Sequence, residues 1–196
     1  YKTSIAAASS GELDTLTEIQ ALIDLVNNEQ AAIAAANAAS TSAIAAVNNA
    51  AANSDASSLL IIDLNAIIDL NNDVTTNLEA YQTAIAAANT GELNTLTDIQ
   101  ALIDLVNSEQ AVIAAANAAS VSAIAVVNTA AANSDASSLL ITDLNAIIGL
   151  SNDVTTNLEA YKTAIAAATA GELDALFDIQ ALIDLVNSEQ AVIAAA

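Results

Sequence analysis

The chain has 196 residues, of which 55% are hydrophobic and 2% aromatic, and its 23 Asp and Glu against two Lys and Arg give a formal net charge of −21. It contains no Cys, His, Met, Trp or Pro. This composition excludes disulfides, the usual zinc and haem ligand sets and nucleophile pairs with His. Its charge opposes binding to a phosphate backbone or an anionic lipid surface.

These exclusions define what we expect of the chain's chemistry. We predict that it is not an enzyme and has no catalytic, cofactor-binding or metal-binding residues. We also expect no nucleic-acid partner and no small-molecule substrate. The apolar runs, such as residues 31–36, are short and interrupted by polar residues, so we expect no membrane insertion.

The sequence repeats with a period of 80 residues. Residues 1–80 and 81–160 are identical at 66 positions and differ at 14, and residues 161–196 match 81–116 at 30 of 36 positions. A fixed period is the signature of repeat architectures, in which each unit contacts mainly its neighbours. We therefore expect the chain to be a segment of a longer array. Its parts are the end of a preceding repeat (1–10), repeat 1 (11–90), repeat 2 (91–170) and the start of repeat 3 (171–196).

The apolar spacing predicts an all-α chain with two long helices in each repeat. Apolar positions alternate steps of three and four residues from Leu16 to Ala51, and again from Leu60 to Ala88. Alanine is the best helix former, and the chain has no Pro to interrupt a helix. In the first repeat the two helices are predicted at about residues 12–53 and 56–90.

Two clusters of cap and turn formers separate these helices. Asn53–Ser58 predicts a turn inside the repeat, and it recurs at Asn133–Ser138. Asn89-Thr90-Gly91 predicts the break between repeats, because Gly supplies the left-handed residue that often ends a helix. Since short connections favour antiparallel neighbours, we expect each repeat to form an antiparallel helix hairpin, with the hairpins stacked into a helical array or fibre.

Asparagine-rich positions leave an alternative open. Asn27-Asn28 and Asn71-Asn72-Asp73 are further candidate breaks, because Asn and Asp favour caps over helix interiors. Four shorter helices per repeat would result. The two-helix interpretation keeps the apolar phase unchanged across both points.

Three Asn residues fall on the apolar face of these predicted helices: Asn37, Asn71 and Asn117. Buried Asn at a core position fixes the alignment of helical assemblies at some cost in stability, so we interpret them as register-setting residues. The carboxylates are spread along the helices and predict a solvated acidic face rather than a cation site. Because alanine buries little area, a single hairpin is expected to depend on packing against the next repeat or another chain.

The motif GEL-x-x-L-x-(D/E)-IQALIDLVN occurs at residues 11–27, 91–107 and 171–187. It resembles helical repeats of very large repetitive surface proteins and adhesins of bacteria. The resemblance implies a stalk or filament at the cell surface or outside the cell.

We thus expect a structural segment of an extracellular repetitive α-helical fibre, filament or adhesin stalk. Its expected partners are neighbouring repeats and other copies of itself. One alternative is an oligomeric coiled-coil stalk of a surface protein, whose chains wind together through heptad positions. Another is an ice-binding alanine-rich helical protein, although Thr41 and Thr129 do not recur at an eleven-residue step.

The charge imbalance predicts that salt stabilises this protein. The self-repulsion of a chain with net charge −21 opposes compaction. The screening length falls from about 10 Å at 0.1 M salt to about 3 Å at 1 M salt. The melting temperature, followed by circular dichroism, is therefore expected to rise between these concentrations of NaCl. A melting temperature that stays flat would contradict the prediction.

Overall fold

A computed structural model describes residues 1–9 and 11–196, and in this part of the chain the regular structure is helical. The helices are α1 (Lys2–Ala7), α2 (Leu16–Ala52), α3 (Ile61–Asn65), α4 (Leu78–Ala87), α5 (Leu96–Ala132), α6 (Ile141–Asn145), α7 (Leu158–Ala167) and α8 (Leu176–Ala194). Short 3-10 helices at Thr75–Asn77 and Thr155–Asn157 lead into α4 and α7. The prediction of an all-α chain is confirmed, and α5, α6 and α7 follow α2, α3 and α4 at a spacing of 80 residues.

The first long helix of each repeat forms as a single element of 37 residues. Helix α2 crosses Asn27-Asn28 without interruption, so the predicted alternative break at that point is wrong. The helix starts at Leu16 rather than near residue 12. Thr15, in an extended conformation, accepts a hydrogen bond from the Glu18 N–H, and the Glu18 carboxylate accepts one from the Thr15 N–H at 2.8 Å. This reciprocal capping box satisfies two backbone donors and fixes the first turn.

The second predicted helix, at about 56–90, is wrong as a single element. Residues 66–74 lie outside any helix and separate the five-residue α3 from the 3-10 helix that precedes α4. Asp69 and Asn72 adopt φ angles of 66° and 63°, which a right-handed helix does not accommodate. The alternative break at Asn71-Asn72-Asp73 is therefore present, and each full repeat combines one long helix with two shorter ones.

Both predicted connections are present. At the turn that starts at Asn53, Ser54 has a φ of 52°, and the Asp55 carboxylate accepts hydrogen bonds from the N–H and hydroxyl of Ser57 at 2.9 and 2.7 Å. At the other break, α4 ends at Ala87 and Gly91 has a φ of 87°. The left-handed conformation at Gly91 costs glycine little and would strain a residue with a Cβ.

Tyr1–Glu109 and Gln110–Ala196 form two compact units, each with its own core. The core of the first unit combines the end of α2, the segment after it, α4 and the start of α5. Its buried members are Ala43, Val47, Ala50, Ala51, Ala56, Leu59, Leu64, Ile67, Tyr81, Ile85, Leu93, Ile99, Ile103 and Val106. The core of the second unit contains the same fourteen residue types, each 80 positions later, from Ala123 to Val186. Each core thus takes residues from both sides of the Gly91 or Gly171 break.

By length and composition alone, helices α2 and α5 are long and apolar enough to cross a membrane. Each contains an 18-residue window of suitable hydropathy, with means of 1.2 and 1.8, and 17% of each window is buried in the structure. One or two such helices are weak evidence, because core helices and signal sequences pass the same test. The absence of membrane insertion stays a prediction.

The helix starts predict a stabilising substitution in α8. The residue that precedes α8 is Ala175, which has the same extended conformation as Thr15 but no side chain to cap the helix. Ala175→Thr is expected to form a capping box with Asp178, as Thr95 and Asp98 do at the start of α5. The free energy of unfolding should rise by about 0.5–2 kcal/mol, measured by urea denaturation.

Ala175→Val is the matched control, because valine has the shape of threonine without its hydroxyl. It is expected to give no gain. Equal stabilities of the two variants would show that the cap hydrogen bond contributes nothing here.

Candidate functional site

A tyrosine–asparagine contact recurs in the structure. Tyr81 donates its phenol hydrogen to Oδ1 of Asn107, and the pairs Tyr1–Asn27 and Tyr161–Asn187 repeat the contact at the same sequence spacing. The three Tyr residues of the chain all take part. The recurring side-chain contact is therefore tied to the 80-residue period.

In the first unit this contact connects three chain segments. The Tyr81 hydroxyl accepts a hydrogen bond from the Val74 N–H at 2.8 Å. Asn107 accepts from Nδ2 of Asn77 at 2.8 Å and donates its own Nδ2 to the Asn72 carbonyl at 2.6 Å. We call these five residues the Tyr–Asn joint. It fixes the irregular segment 66–74 and the start of α4 against α5.

The second unit contains the same joint with matching geometry. Tyr161 accepts from the Val154 N–H at 2.8 Å, and Asn187 accepts from Nδ2 of Asn157 at 2.8 Å and donates to the Asn152 carbonyl at 2.6 Å. Tyr81 and Tyr161 are both 0% exposed. A buried phenol needs a partner for its hydroxyl, and here that hydroxyl both donates and accepts.

Gln100 forms a second attachment of the irregular segment to α5. Its Oε1 accepts from the Asn71 N–H and its Nε2 donates to the Asn71 carbonyl, both at 2.9 Å. The amide of Gln100 thus pairs with the backbone of residue 71 as a neighbouring strand would. In the second unit Gln180 does the same to the backbone of Ser151, at 2.8 and 3.0 Å. Because only backbone groups of residue 71 are used, the change from Asn to Ser leaves this contact intact.

Helix α2 holds the same segment from its own side. The Ser40 hydroxyl, on a residue only 8% exposed, accepts from the Ile68 N–H at 2.9 Å, and Ser120 accepts from the Ile148 N–H at the same distance. Backbone groups that no helix satisfies are thus paired with side chains from α2 and α5. An unmade hydrogen bond of this kind costs about 1–3 kcal/mol when buried, so these side chains permit an irregular segment at the edge of the core.

The prediction that three Asn residues set register from buried positions is wrong within this chain. Asn37 and Asn117 are exposed on α2 and α5, and Asn71 is exposed in the irregular segment. The helical spacing placed Asn71 on an apolar face, but the chain is not helical there. Asn107, Asn72 and Asn77 are instead the asparagines that connect distant segments.

Carboxylates in the turns act locally. The Asn89 side chain and backbone N–H donate to Glu92, and these hydrogen bonds hold the pKa of Glu92 below its usual value. Hydrogen bonds from Thr15 lower the pKa of Glu18 in the same way. Both side chains are exposed. Within residues 1–9 and 11–196, no three His, Cys, Asp or Glu side chains are grouped closely enough to hold a metal ion.

The sequence contained a signal for the joint that periodicity alone did not identify. Tyr is rare in this chain, and Tyr1, Tyr81 and Tyr161 occupy one repeat position. Gln100 and Asn107 lie within the repeated IQALIDLVN motif. Helical spacing accounts for the apolar residues of this motif, but it gives no reason for these two amide side chains. A rare large side chain and two unexplained amides at fixed spacing are the pattern of a structural hydrogen-bond site.

The arrangement offers internal hydrogen bonds at fixed sequence spacing. The phenol of Tyr81 is enclosed, and its hydrogen-bond partners belong to the chain itself. What this geometry does is hold the end of one long helix, an irregular segment and the beginning of the next long helix in one register.

Comparison with known proteins gives no relative. No protein-family model, curated protein or solved structure matches this chain.

The joint predicts a large effect of removing one oxygen atom. Tyr81→Phe removes the acceptor of the Val74 N–H and one of the two donors to the side-chain Oδ1 of Asn107. The free energy of unfolding is expected to fall by about 1–3 kcal/mol in urea denaturation followed by circular dichroism.

Tyr1→Phe is the matched control. Tyr1 makes the same contact with Asn27, but 56% of its surface is exposed, so water replaces the lost partner. Its effect should be less than half as large. Equal losses from the two substitutions would mean that the joint acts through something other than buried hydrogen bonds.

Proposed function

We propose that this chain is a structural segment of an extracellular, repetitive α-helical fibre, filament or adhesin stalk. In this proposal the 80-residue repeats are arranged in tandem and no residue is catalytic. The observation that carries it is the recurrence of the Tyr–Asn joint, with the same partners and matching distances, in both units. The repeated element is thus an internal contact that positions the chain, and its multiplication supplies length.

The composition supports a mechanical rather than a chemical role. With no His and no Cys, the chain lacks the side chains that most often act as bases, nucleophiles and metal ligands near neutral pH. Its net charge of −21 favours solubility at high local concentration, since like-charged repeats repel one another. Both properties suit a spacer.

An extracellular location is the second part of the proposal. The absence of Cys and the presence of only two Lys and Arg leave few positions for redox chemistry or for trypsin-like cleavage. The resemblance of the GEL-x-x-L motif to repeats of bacterial surface proteins favours the same location. Antibodies against the chain should therefore label intact cells of the source organism. Labelling that requires permeabilised cells would contradict this part.

An oligomeric coiled-coil stalk is the second candidate, and exposed apolar residues favour it. Ile33 on α2 and Val112 and Ile113 on α5 are 53%, 66% and 50% exposed, on stretches of helix that contribute to neither core. Against it stand the non-helical segments 53–60, 66–74 and 88–95, because a coiled coil needs uninterrupted helices to keep its heptad seam.

The two candidates differ in the length added by each repeat. We would prepare arrays of two, four and six repeats, determine the mass of the particles by light scattering, and measure their length by small-angle X-ray scattering. The tandem proposal predicts a constant increment per repeat well below about 120 Å, with the mass of a single chain for a stalk and of several chains for a filament. An increment of about 120 Å, the length of 80 residues of continuous helix, together with the mass of several chains would establish the coiled coil.

A further inference from the structure

A groove near the start of the chain exposes side chains that are buried elsewhere. It has a volume of about 580 Å³ and is lined by Tyr1, Ile5, Leu13, Ile19, Leu22 and Ile23. Tyr1, Ile5 and Ile19 are 56%, 54% and 40% exposed. We call this surface the Tyr1 groove. Large apolar side chains exposed side by side are a common mark of an interaction surface.

The same residue types, 80 positions later, lie in the core of the first unit. The residues that match Tyr1, Ile5 and Ile19 are Tyr81, Ile85 and Ile99, and they are 0%, 1% and 0% exposed. A further 80 positions on, their counterparts in the second unit are again 0% exposed: Tyr161, Ile165 and Ile179. Since the side chains are the same, the difference lies in what covers them.

In each complete unit the covering residues come from one stretch of chain. It spans the end of the long helix and the segment that follows, residues 40–74 in the first unit and 120–154 in the second. The core members from this stretch include Val47, Leu59, Leu64 and Ile67. We call it the cover segment. Among residues 1–9 and 11–109, no second stretch of this kind covers the Tyr1 groove, because residues 40–74 already cover Tyr81 and its neighbours.

The side-chain amides that bind the cover segment in the complete units have counterparts at the Tyr1 groove. Asn27 matches Asn107, and its contact with Tyr1 is already formed. Gln20 matches Gln100 and donates to Asp24 at 2.9 Å, as Gln100 donates to Asp104. In the complete units these amides also bind the backbone of the cover segment.

Lys2 lies at a repeat position whose contacts differ between the two units. It matches Gln82, whose Nε2 donates to the Leu59 carbonyl of the cover segment at 2.7 Å. At the same position in the second unit, Lys162 donates to the Glu159 carboxylate at 2.9 Å, so a lysine here does not bind the cover segment. The two basic residues of the chain, Lys2 and Lys162, both lie at this repeat position, so the docking of a cover segment is argued from Gln20 and Asn27 and not from Lys2.

We propose that the Tyr1 groove is the docking site for another cover segment, contributed by a further copy of the repeat joined ahead of Tyr1. The inference rests on the proposed tandem architecture, and it names the partner of one surface. The docked segment buries Tyr1, Ile5 and Ile19, donates a backbone N–H to the Tyr1 hydroxyl and pairs its backbone with Gln20 and Asn27. This completes a third core of the type seen in both units.

The absence of Cys from the chain allows a direct test. Ile5→Cys places a single thiol in the Tyr1 groove, and its rate of reaction with a maleimide reports how exposed it is. The rate is measured in the chain as it stands and in a chain extended at its start by residues 38–80. In the extended chain we expect the thiol at position 5 to react at least about ten times more slowly. Equal rates would overturn the proposal.

Two controls distinguish docking at the Tyr1 groove from a general change in the reactivity of thiols in the extended chain. Ile33→Cys introduces a thiol on α2 outside the groove, and its rate should be the same in both chains. In the extension, replacing the residues that match Leu64 and Ile67 by Asp removes the apolar contacts of the cover segment. That variant should restore fast labelling at position 5. Slow labelling in spite of both substitutions would contradict docking through this core.

Light scattering on the unextended chain tests the competing occupant. A dimer in which the thiol at position 5 is already protected would identify a second copy of the chain in the groove and would overturn the proposal. We expect a monomer with a reactive thiol. All these measurements use purified protein, so a failure here is distinguishable from a failure of the surface-labelling experiment, which tests the location of the protein.

Discussion

A phenol hydroxyl enclosed in each complete unit is the constraint on which the remaining structure depends. Tyr81 buries a large ring in a core otherwise made of Ala, Val, Leu and Ile, and its oxygen bonds simultaneously to Asn107 on α5 and to the backbone at Val74. In a chain this rich in alanine, few other side chains bury as much area. The ring supplies apolar contact and the oxygen fixes register, so packing and alignment are decided at one residue.

Sequence reasoning predicted the elements that depend on spacing and propensity. The long helix α2, the turn at Asn53, the break at Gly91 and the all-α class follow from the three-and-four periodicity and from local turn chemistry. It failed at residues 66–74, where the same periodicity is present but the chain is not helical. There the side chains of Ser40, Gln100 and Asn107 supply hydrogen bonds that a helix would otherwise make internally.

This failure has a physical reason. A periodicity count registers which positions are apolar, and a segment can bury those positions without being helical if its backbone finds partners elsewhere. The partners lie 28 to 35 residues away in sequence, on two different helices. Helix propensity and residue spacing describe only the local sequence, so they do not detect hydrogen-bond partners this far away. The same limitation misassigned Asn71, whose contact with Gln100 uses its backbone and not its side chain.

The 80-residue sequence repeat and the folded core begin at different positions in the chain. This offset determines which changes in chain length leave the cores intact. Each core joins residues from before and after a glycine break, such as Leu64 and Ile103 in the first unit. The two copies agree at 66 of 80 positions, so most residues of one copy could replace those of the other. An exchange that adds or removes 80 residues keeps every Tyr at its distance from its Asn, wherever in the period the crossover falls. Length variants of this kind inherit intact cores, whereas an insertion of any other size inside a core segment separates the partners.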